Sequence, residues 1–246
     1  MNQYLLIDNS NTWTKYCFAS PAKLSGIHRI ETAKLAHSFL KNLKRKNPKA
    51  SVIVSSVVPD KAKLIEQIWK PYQYRFVSHR IPLGIKIQYP NPSTIGGDRL
   101  ANAVSVIHDY KLPAVVIDFG TAVTFDIISK DKAYLGGIIA PGLNAMTNYL
   151  HEKTALLPKL TLKAPKQIVG KSTVEAMRVG TFVGYRGLIK EILKEIKKEL
   201  RSNTFSVIAT GGQAEALAQQ ITQIQKVDPA LTLNGLRYIA NLNLTS

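Results

Sequence analysis

The chain has 246 residues, 45% of them hydrophobic, which is enough to bury the core of one large domain or two small ones. Its 33 Lys and Arg residues outnumber 16 Asp and Glu residues, and the resulting formal net charge of +17 favours anionic partners. A single cysteine, Cys17, excludes an intrachain disulfide, and the lack of a signal peptide or a long apolar stretch predicts a soluble, cytoplasmic protein without a membrane segment.

The first predicted element is a β-hairpin. The apolar run from Tyr4 to Ile7 is typical of a buried strand, and Asp8 stands at its end. A short polar turn then leads to Thr12 and to a second strand that continues through Tyr16.

Helices and strands alternate in the next part of the chain. Apolar positions at helical spacing predict a helix over 31–46, and β-branched residues predict a strand over 51–58. Pro59 suits the first turn of a helix that extends to about Trp69, and a short strand is predicted over 74–77. This alternation indicates an α/β fold.

A loop over 84–99, whose glycines and prolines break regular structure, leads into an amphipathic helix that contains Leu100 and Ile107. Asp98 stands at the junction of loop and helix. It is interpreted either as an N-cap or first-turn acid of this helix or as a catalytic carboxylate, and the residues alone leave both interpretations open.

A second hairpin, over 114–126, repeats the pattern of the first. Asp118 ends its apolar strand, and Thr121 lies in its turn. Loop amides and hydroxyls suit phosphate oxygens, and a carboxylate suits a hydrated cation. Two such hairpins predict loops that face one cleft.

The last third of the chain contains several predicted boundaries. Residues 136–142 are rich in glycine and are predicted to form a flexible loop, and Ser172-Thr173-Val174-Glu175 fits a capping box. A strand over 205–210 ends at Gly211-Gly212 before a helix, as in a nucleotide-binding turn, but Gly-Gly alone is weak evidence because any tight strand-to-helix turn can use it. The chain has neither a P-loop nor a strand followed by G-x-G-x-x-G, and no closely spaced histidine pair indicates zinc.

Taken together, these motifs resemble those of the type III pantothenate kinases, which belong to the acetate and sugar kinase/actin-like ATPase superfamily. The blocks that carry the resemblance are Asp8-Asn9-Ser10-Asn11-Thr12-Trp13-Thr14-Lys15, Tyr89-Pro90-Asn91-Pro92 with Gly96-Gly97-Asp98-Arg99, Asp118-Phe119-Gly120-Thr121-Ala122-Val123-Thr124, and Thr210-Gly211-Gly212. The family usually has glycine where this chain has Ser10, a difference that bears on nucleotide affinity because glycine allows a positive φ.

The resemblance implies an α/β fold of two similar ribonuclease H-like (actin-like ATPase) domains, 1–111 and 112–246, with an interdomain cleft. It also implies ATP-dependent phosphorylation of pantothenate, in the first step of coenzyme A biosynthesis, by a homodimer. Asp98 is then the general base. The implied substrate-binding residues are Tyr89, Gly96, Gly97, Asp98, Arg99 and Thr173, although Thr173 is alternatively only a helix cap.

The resemblance further implies ATP with Mg²⁺ and a monovalent cation, K⁺ or NH₄⁺, as cofactors. Asp8 is expected to position Mg²⁺ through water, and Asp118 to bind the monovalent cation. The implied ATP-binding residues are Asp8, Asn9, Ser10, Asn11, Thr12, Trp13, Thr14, Lys15, Thr121, Gly211 and Gly212.

Two other functions compete with this interpretation. The charge of +17 and Ser10 are also compatible with a catalytically weak, basic regulatory or nucleic-acid-associated protein on the same fold, although no dedicated nucleic-acid binding is expected. A kinase that acts on a different small hydroxyl compound is the other possibility, and it is disfavoured because Tyr89, Gly96 and Arg99 are all present.

Overall fold

The computed structural model describes residues 4–70, 72–161, 163–202 and 204–244 of an α/β protein with two sheets. The chain divides into two compact units. The first consists of the described parts of Met1–Ala114, Asp126–Gly136 and Ala230–Ser246, and the second of those of Val115–Phe125 and Gly137–Pro229. In the described part of the chain, every helix is too short or too polar to cross a bilayer.

The first sheet contains five strands in the order β3-β2-β1-β4-β5. Their bounds are β1 Tyr4–Asn9, β2 Trp13–Ala19, β3 His28–Glu31, β4 Ser51–Ser56 and β5 Tyr74–Phe76. The predicted first hairpin is confirmed, because β1 pairs antiparallel with β2. On its other edge β1 pairs parallel with β4, so it lies at the centre of the sheet.

Two helices, α1 (His37–Lys46) and α2 (Pro59–Trp69), pack against this sheet. The prediction of a helix over 31–46 is wrong at its start, because Glu31 is paired in β3 and Thr32–Lys34 form a 3₁₀ turn. Alternate residues of β1 and β4 are buried in the same apolar cluster as residues of both helices, since side chains two positions apart lie on one face of a strand. The cluster contains Leu5, Ile7, Val52 and Val54 from the strands and Leu40, Leu43, Ile65, Ile68 and Trp69 from the helices. This packing holds the strand that leads to Asp8.

Helix α3 (Gly97–Asp109) packs closely against the C-terminal helix α7 (Leu231–Asn243). A Cβ atom added to Gly235 would lie 1.9 Å from the carbonyl oxygen of Ala101, so only glycine fits at this crossing. The buried Thr232 hydroxyl donates to Asn102 Oδ1 at 2.8 Å. Helix α7 therefore supports the helix whose first turn carries Asp98.

The second sheet contains six strands in the order β11-β10-β7-β8-β9-β6. Their bounds are β6 Lys86–Ile87, β7 Ala114–Phe119, β8 Ala122–Ile128, β9 Ala133–Pro141, β10 Ser206–Thr210 and β11 Lys226–Val227. Strands β7 and β8 are neighbours joined by two residues, which confirms the second hairpin. The prediction of a flexible loop over 136–142 is wrong for most of that segment, because residues through Pro141 continue β9 alongside β8.

Three further helices belong to the second unit: α4 (Leu143–Lys153), α5 (Thr173–Glu199) and α6 (Ala214–Ala218). Helix α5 is continuous over 27 residues, including the three glycines at 180, 184 and 187. A Cβ atom at any of these glycines would meet nothing within 4 Å among the described residues of the chain.

Candidate active site

The turn of the first hairpin is held by a set of buried polar side chains. Asn9 Nδ2 donates to Thr14 Oγ1 at 2.7 Å, and the Ser56 hydroxyl donates to Asn9 Oδ1 at the same distance. Thr14 Oγ1 lies 3.0 Å from Thr32 Oγ1. Asn9 and Thr14 are two of the predicted ATP-binding residues. Their buried side chains therefore stabilise the conformation of the turn through hydrogen bonds.

The outer part of this turn is exposed to solvent, and a hydrogen bond to its backbone holds it in place. Asn11, Thr12 and Trp13 are exposed, and the Thr32 hydroxyl donates to the Ser10 carbonyl oxygen at 2.7 Å. The Arg29 guanidinium lies over the Trp13 ring, 4.8 Å from its centroid. The turn thus presents its tip to solvent in a fixed conformation, as a phosphate-binding loop requires.

Ser10 occupies its position without backbone strain. Among the described residues other than glycine, only Lys132 and Arg201 have a positive φ. Ser10 therefore does not use the left-handed conformation that glycine would permit, and the difference from the usual family residue leaves the turn intact.

Asp8 lies near the carboxyl end of β1, where it is 6% exposed. Lys15 is directly opposite Asp8 on β2, and Ser55 is opposite it on β4. Residues directly opposite each other in an antiparallel pair share one face of the sheet, so the Lys15 side chain lies on the face of the sheet that carries Asp8. The first sheet thus places a carboxylate, a cation and a hydroxyl at neighbouring positions.

The start of α3 lies against this same end of the sheet. A Cβ atom on Gly97 would lie 2.9 Å from the Val77 carbonyl oxygen and 3.3 Å from Ser55 Oγ, so glycine permits the close approach. Ser55 is opposite Asp8 in the sheet, so the first turn of α3 and the end of β1 both lie next to Ser55. The structure therefore brings Asp8 and Asp98 to the same region of the first unit.

Asp98 is a first-turn acid of α3 and not its N-cap, which is Gly96. Its Oδ1 accepts the backbone N–H of Arg99 at 2.8 Å. Burial raises the pKa of Asp98 above the usual range, although the Arg99 N–H and guanidinium oppose the rise. A carboxylate with a raised pKa is a stronger base than an exposed one, which is the property a general base needs.

Arg99 is anchored by two residues that lie outside the motifs of the sequence, Asp126 and Tyr134. Arg99 Nε donates to Asp126 Oδ1 at 2.6 Å, and the Tyr134 hydroxyl donates to the same oxygen at 2.9 Å. Asp126 is fully buried. The sequence signal that indicates this contact is a single carboxylate within the apolar run Phe125–Ile128, which requires a buried partner.

The second unit gathers another group of predicted site residues around its hairpin turn. A Cβ atom on Gly211, whose φ is +95°, would lie 2.5 Å from Asp118 Oδ1 and 2.6 Å from the Phe119 carbonyl oxygen. The Gly142 N–H donates to the Thr121 carbonyl oxygen at 3.2 Å. Asp118, Thr121 and Gly211 therefore lie together, whereas a Cβ atom on the adjacent Gly212 would meet open space among the described residues.

Thr173 is exposed at the first turn of α5, also in the second unit. The predicted capping box is present in altered form: the Ser172 hydroxyl accepts the Glu175 N–H at 3.2 Å, while Glu175 Oε2 accepts the Lys171 N–H at 2.8 Å. The cap of the helix is therefore Ser172, so Thr173 does not serve as the cap.

No group of three or more His, Cys, Asp or Glu side chains with the geometry of a metal site occurs in the ranges 4–70, 72–161, 163–202 and 204–244. A magnesium ion bound by one carboxylate such as Asp8, with water and phosphate oxygens as its other ligands, fits this arrangement.

Comparison with known proteins agrees with these features. The sequence model of the type III pantothenate kinase family matches residues 4–195. A type III pantothenate kinase of Akkermansia muciniphila is 46% identical over 242 residues, which cover 98% of this chain and 99% of that protein. Another, of Methylacidiphilum infernorum, is 44% identical over 241 residues, which cover 97% of this chain and 88% of that protein.

Solved structures support the fold. The activator of the 2-hydroxyisocaproyl-CoA dehydratase from Clostridium difficile, with bound ADPNP, has a TM-score of 0.58 and 13% identity, covering 99% of this chain and 94% of that one. The α/β fold expected from the sequence, that of the actin-like ATPases and sugar kinases, is thereby confirmed. Because the sequence relatives are so similar over nearly the whole chain, the protein belongs to the type III pantothenate kinase family.

Proposed function

We propose that this protein transfers the γ-phosphoryl group of ATP to the primary hydroxyl of pantothenate and forms 4′-phosphopantothenate, in the first step of coenzyme A biosynthesis. The observation that carries the proposal is Asp98, a carboxylate with a raised pKa on the first turn of α3, next to the anchored Arg99. Membership in the type III pantothenate kinase family supports the choice of substrate.

In the proposed reaction Asp98 accepts the proton of the pantothenate hydroxyl. The hydroxyl oxygen then forms a bond to the γ-phosphorus, and the bond from that phosphorus to the β–γ bridging oxygen breaks, leaving its electron pair on ADP. Burial favours this proton transfer because it raises the pKa of Asp98.

We place pantothenate on the residues around the start of α3. Arg99 binds its carboxylate or carbonyl oxygens, and Tyr89, which is 36% exposed, packs against its chain. The backbone at Gly96 and Gly97 allows close approach, since neither residue has a side chain.

The proposed ATP-binding residues are assigned unit by unit. Lys15 and the hairpin turn from Asn9 to Thr14 bind phosphates, while Thr121 binds phosphate from the second hairpin. Gly211 and Gly212 border the adenosine. When bound, Mg²⁺ neutralises phosphate charge, and Asp8 would hold it through water.

A monovalent cation is part of the proposal, and Asp118 is its ligand. The Gly211 turn lies directly against Asp118, so a cation held there is close to the proposed adenosine turn. We expect phosphorylation to be low in buffers that contain only Na⁺ or Tris and to recover on addition of K⁺ or NH₄⁺. Equal rates in all of these buffers, measured at constant ionic strength, would exclude the cation requirement.

Thr173 is proposed to contact pantothenate, and Ser172 provides a matched comparison. Because Ser172 is the helix cap, Ser172→Ala is expected to lower the free energy of unfolding by about 1 kcal/mol and to leave the pantothenate KM unchanged. Thr173→Val is expected to raise the pantothenate KM while stability stays the same. Denaturant unfolding and steady-state kinetics of both variants test the assignment, and the opposite pattern would make Thr173 only structural.

A homodimer is the proposed assembly. The open glycine positions on α5 and the exposed apolar side chains of the same unit, among them Tyr149, Leu156 and Ile168, support an interface there. Sedimentation equilibrium of the purified protein measures the state directly. The cytoplasmic location stays a prediction.

The function itself is tested by ATP consumption with and without pantothenate, with the product identified by mass spectrometry. We expect pantothenate-dependent ADP release and 4′-phosphopantothenate, and no comparable activity with other small hydroxyl compounds. A parallel DNA-shift titration at several salt concentrations tests the basic regulatory alternative, which the family match does not favour. Specific DNA binding without pantothenate turnover would overturn the proposal.

A further inference from the structure

Arg99 contacts two buried polar residues of the first unit, Asp126 and Tyr134, that have no place in the proposed catalytic machinery. Asp126 on β8 is fully buried, and the Arg99 side chain is only 13% exposed. The carboxylate Oδ1 receives two hydrogen bonds, one from Arg99 Nε and one from the Tyr134 hydroxyl on β9. Two donors on one oxygen restrict the orientation of the guanidinium plane, since Nε lies within that plane.

The same group extends to the proposed pantothenate-packing residue. The rings of Tyr134 and Tyr89 make an edge contact with centroids 6.3 Å apart. The Tyr89 ring also lies beside Gly136, whose φ is +139°: a Cβ atom there would lie 3.5 Å from Cδ2 and Cε2 of the ring. Tyr134 thus contacts both the anchor of Arg99 and the side of Tyr89.

The Nη2 donor of Arg99 is not satisfied in this arrangement of the described residues. Within the described ranges, the buried Arg99 Nη2 has no hydrogen-bond partner. A buried guanidinium N–H without a partner is costly, so the protein holds Arg99 in place at the expense of one unsatisfied donor. The guanidinium is thus fixed through Nε, and a ligand oxygen can reach it only through the 13% of the side chain that stays exposed.

Stability alone does not account for Asp126. A buried ion pair contributes little net stability compared with apolar residues of the same volume, because both charges lose their hydration. The physical effect of Asp126 is to fix the orientation of the Arg99 guanidinium and to compensate its charge.

We infer that Asp126 and Tyr134 are positioning residues for substrate recognition: they hold Arg99 so that the exposed part of its guanidinium meets a carboxylate or carbonyl oxygen of pantothenate, and Tyr134 also supports Tyr89. This inference rests on the proposed function. It predicts that both residues affect pantothenate binding while the ATP site, formed by other residues, is unaffected.

The test uses Asp126→Asn and Tyr134→Phe in the full chain. Asp126→Asn keeps an oxygen for Arg99 but removes the charge, and is expected to raise the pantothenate KM on the order of 10- to 100-fold. Tyr134→Phe removes one hydrogen bond and is expected to raise it roughly 3- to 10-fold. For both variants the ATP KM stays within about twofold of wild type, the scatter expected for a contact not removed.

Thr232→Val is the matched control. It removes a buried hydrogen bond to Asn102 on α3, in the same unit, but Thr232 has no place in the proposed site. Thermal unfolding of all three variants separates stability from kinetics. We expect Thr232→Val to lower Tm and to leave the pantothenate KM unchanged.

The possible results are distinguishable. A wild-type protein without pantothenate turnover would overturn the proposed function itself. Wild-type turnover combined with an unchanged pantothenate KM in Asp126→Asn and Tyr134→Phe, or with an equal rise in the ATP KM, would overturn only the positioning role. If Asp126→Asn does not fold, Tyr134→Phe, which keeps the buried ion pair, decides the question by the same criterion.

Discussion

Asp98→Asn is expected to lower kcat for pantothenate phosphorylation by roughly 10²- to 10⁴-fold, the usual contribution of a general base. The asparagine side chain has nearly the same shape, and its oxygen can still accept the Arg99 N–H that Asp98 accepts at 2.8 Å. It cannot accept the hydroxyl proton. The KM values for ATP and pantothenate should change far less than kcat.

The same variant has an expected effect on stability. Because burial raises the pKa of Asp98 in the folded state above its unfolded value, stability falls as pH rises between these two values. At neutral pH the ionised carboxylate therefore lowers stability, and Asp98→Asn should unfold at the same Tm as wild type or a higher one. Thermal unfolding at pH 7 measures this.

The pH dependence of the wild-type rate supplies an independent check. Activity requires ionised Asp98, so the rate should fall as pH decreases through its raised pKa, at a higher pH than for an ordinary aspartate. Asp131→Asn, an exposed turn position, is the control and should leave the rate and its pH profile unchanged. Near wild-type turnover by purified Asp98→Asn would reject the general-base role.

Gly211→Ala is expected to disrupt the second unit at its hairpin turn. Alanine would adopt a φ of +95° there, and its Cβ would lie 2.5 Å from Asp118 Oδ1 and 2.6 Å from the Phe119 carbonyl oxygen. Left-handed strain and overpacking each cost about 1–3 kcal/mol, so we expect Tm to fall by several degrees. The ATP KM should rise about 10-fold or more, as expected when contacts worth at least about 1.4 kcal/mol are displaced.

Gly212→Ala is the control for stability in this experiment. A Cβ atom at Gly212 has no neighbour within 4 Å among the described residues, and its φ is not positive. Its Tm should therefore stay close to that of wild type. If Gly211→Ala unfolded at the wild-type temperature and bound ATP normally, the turn would not lie against Asp118 as described.

Both hairpins and the position of Asp98 were predictable because each depends on a short stretch of sequence. An apolar strand followed by Asp and small polar residues specifies a hairpin locally, and Gly96 and Gly97 before an amphipathic run indicate the start of a helix. The cap of α5 was likewise contained in four consecutive residues, although the structure assigns it to Ser172.

The remaining features depend on residues far apart in the sequence. Strand β9 contains Gly136, Gly137 and Pro141, which locally favour a loop, and only its pairing beside β8 makes it a strand. The anchoring of Arg99 by Asp126 joins positions 27 residues apart, and the α3–α7 crossing at Gly235 joins positions more than a hundred apart. Periodicity carries no information about such contacts.

The most direct test is a crystal structure of the wild-type protein with pantothenate, Mg²⁺ and a non-hydrolysable ATP analogue. We expect the primary hydroxyl oxygen of pantothenate about 3 Å from an Asp98 carboxylate oxygen, and a carboxylate or carbonyl oxygen of pantothenate on the Arg99 guanidinium. Pantothenate bound away from Asp98, with its hydroxyl next to a different base, would contradict this expectation.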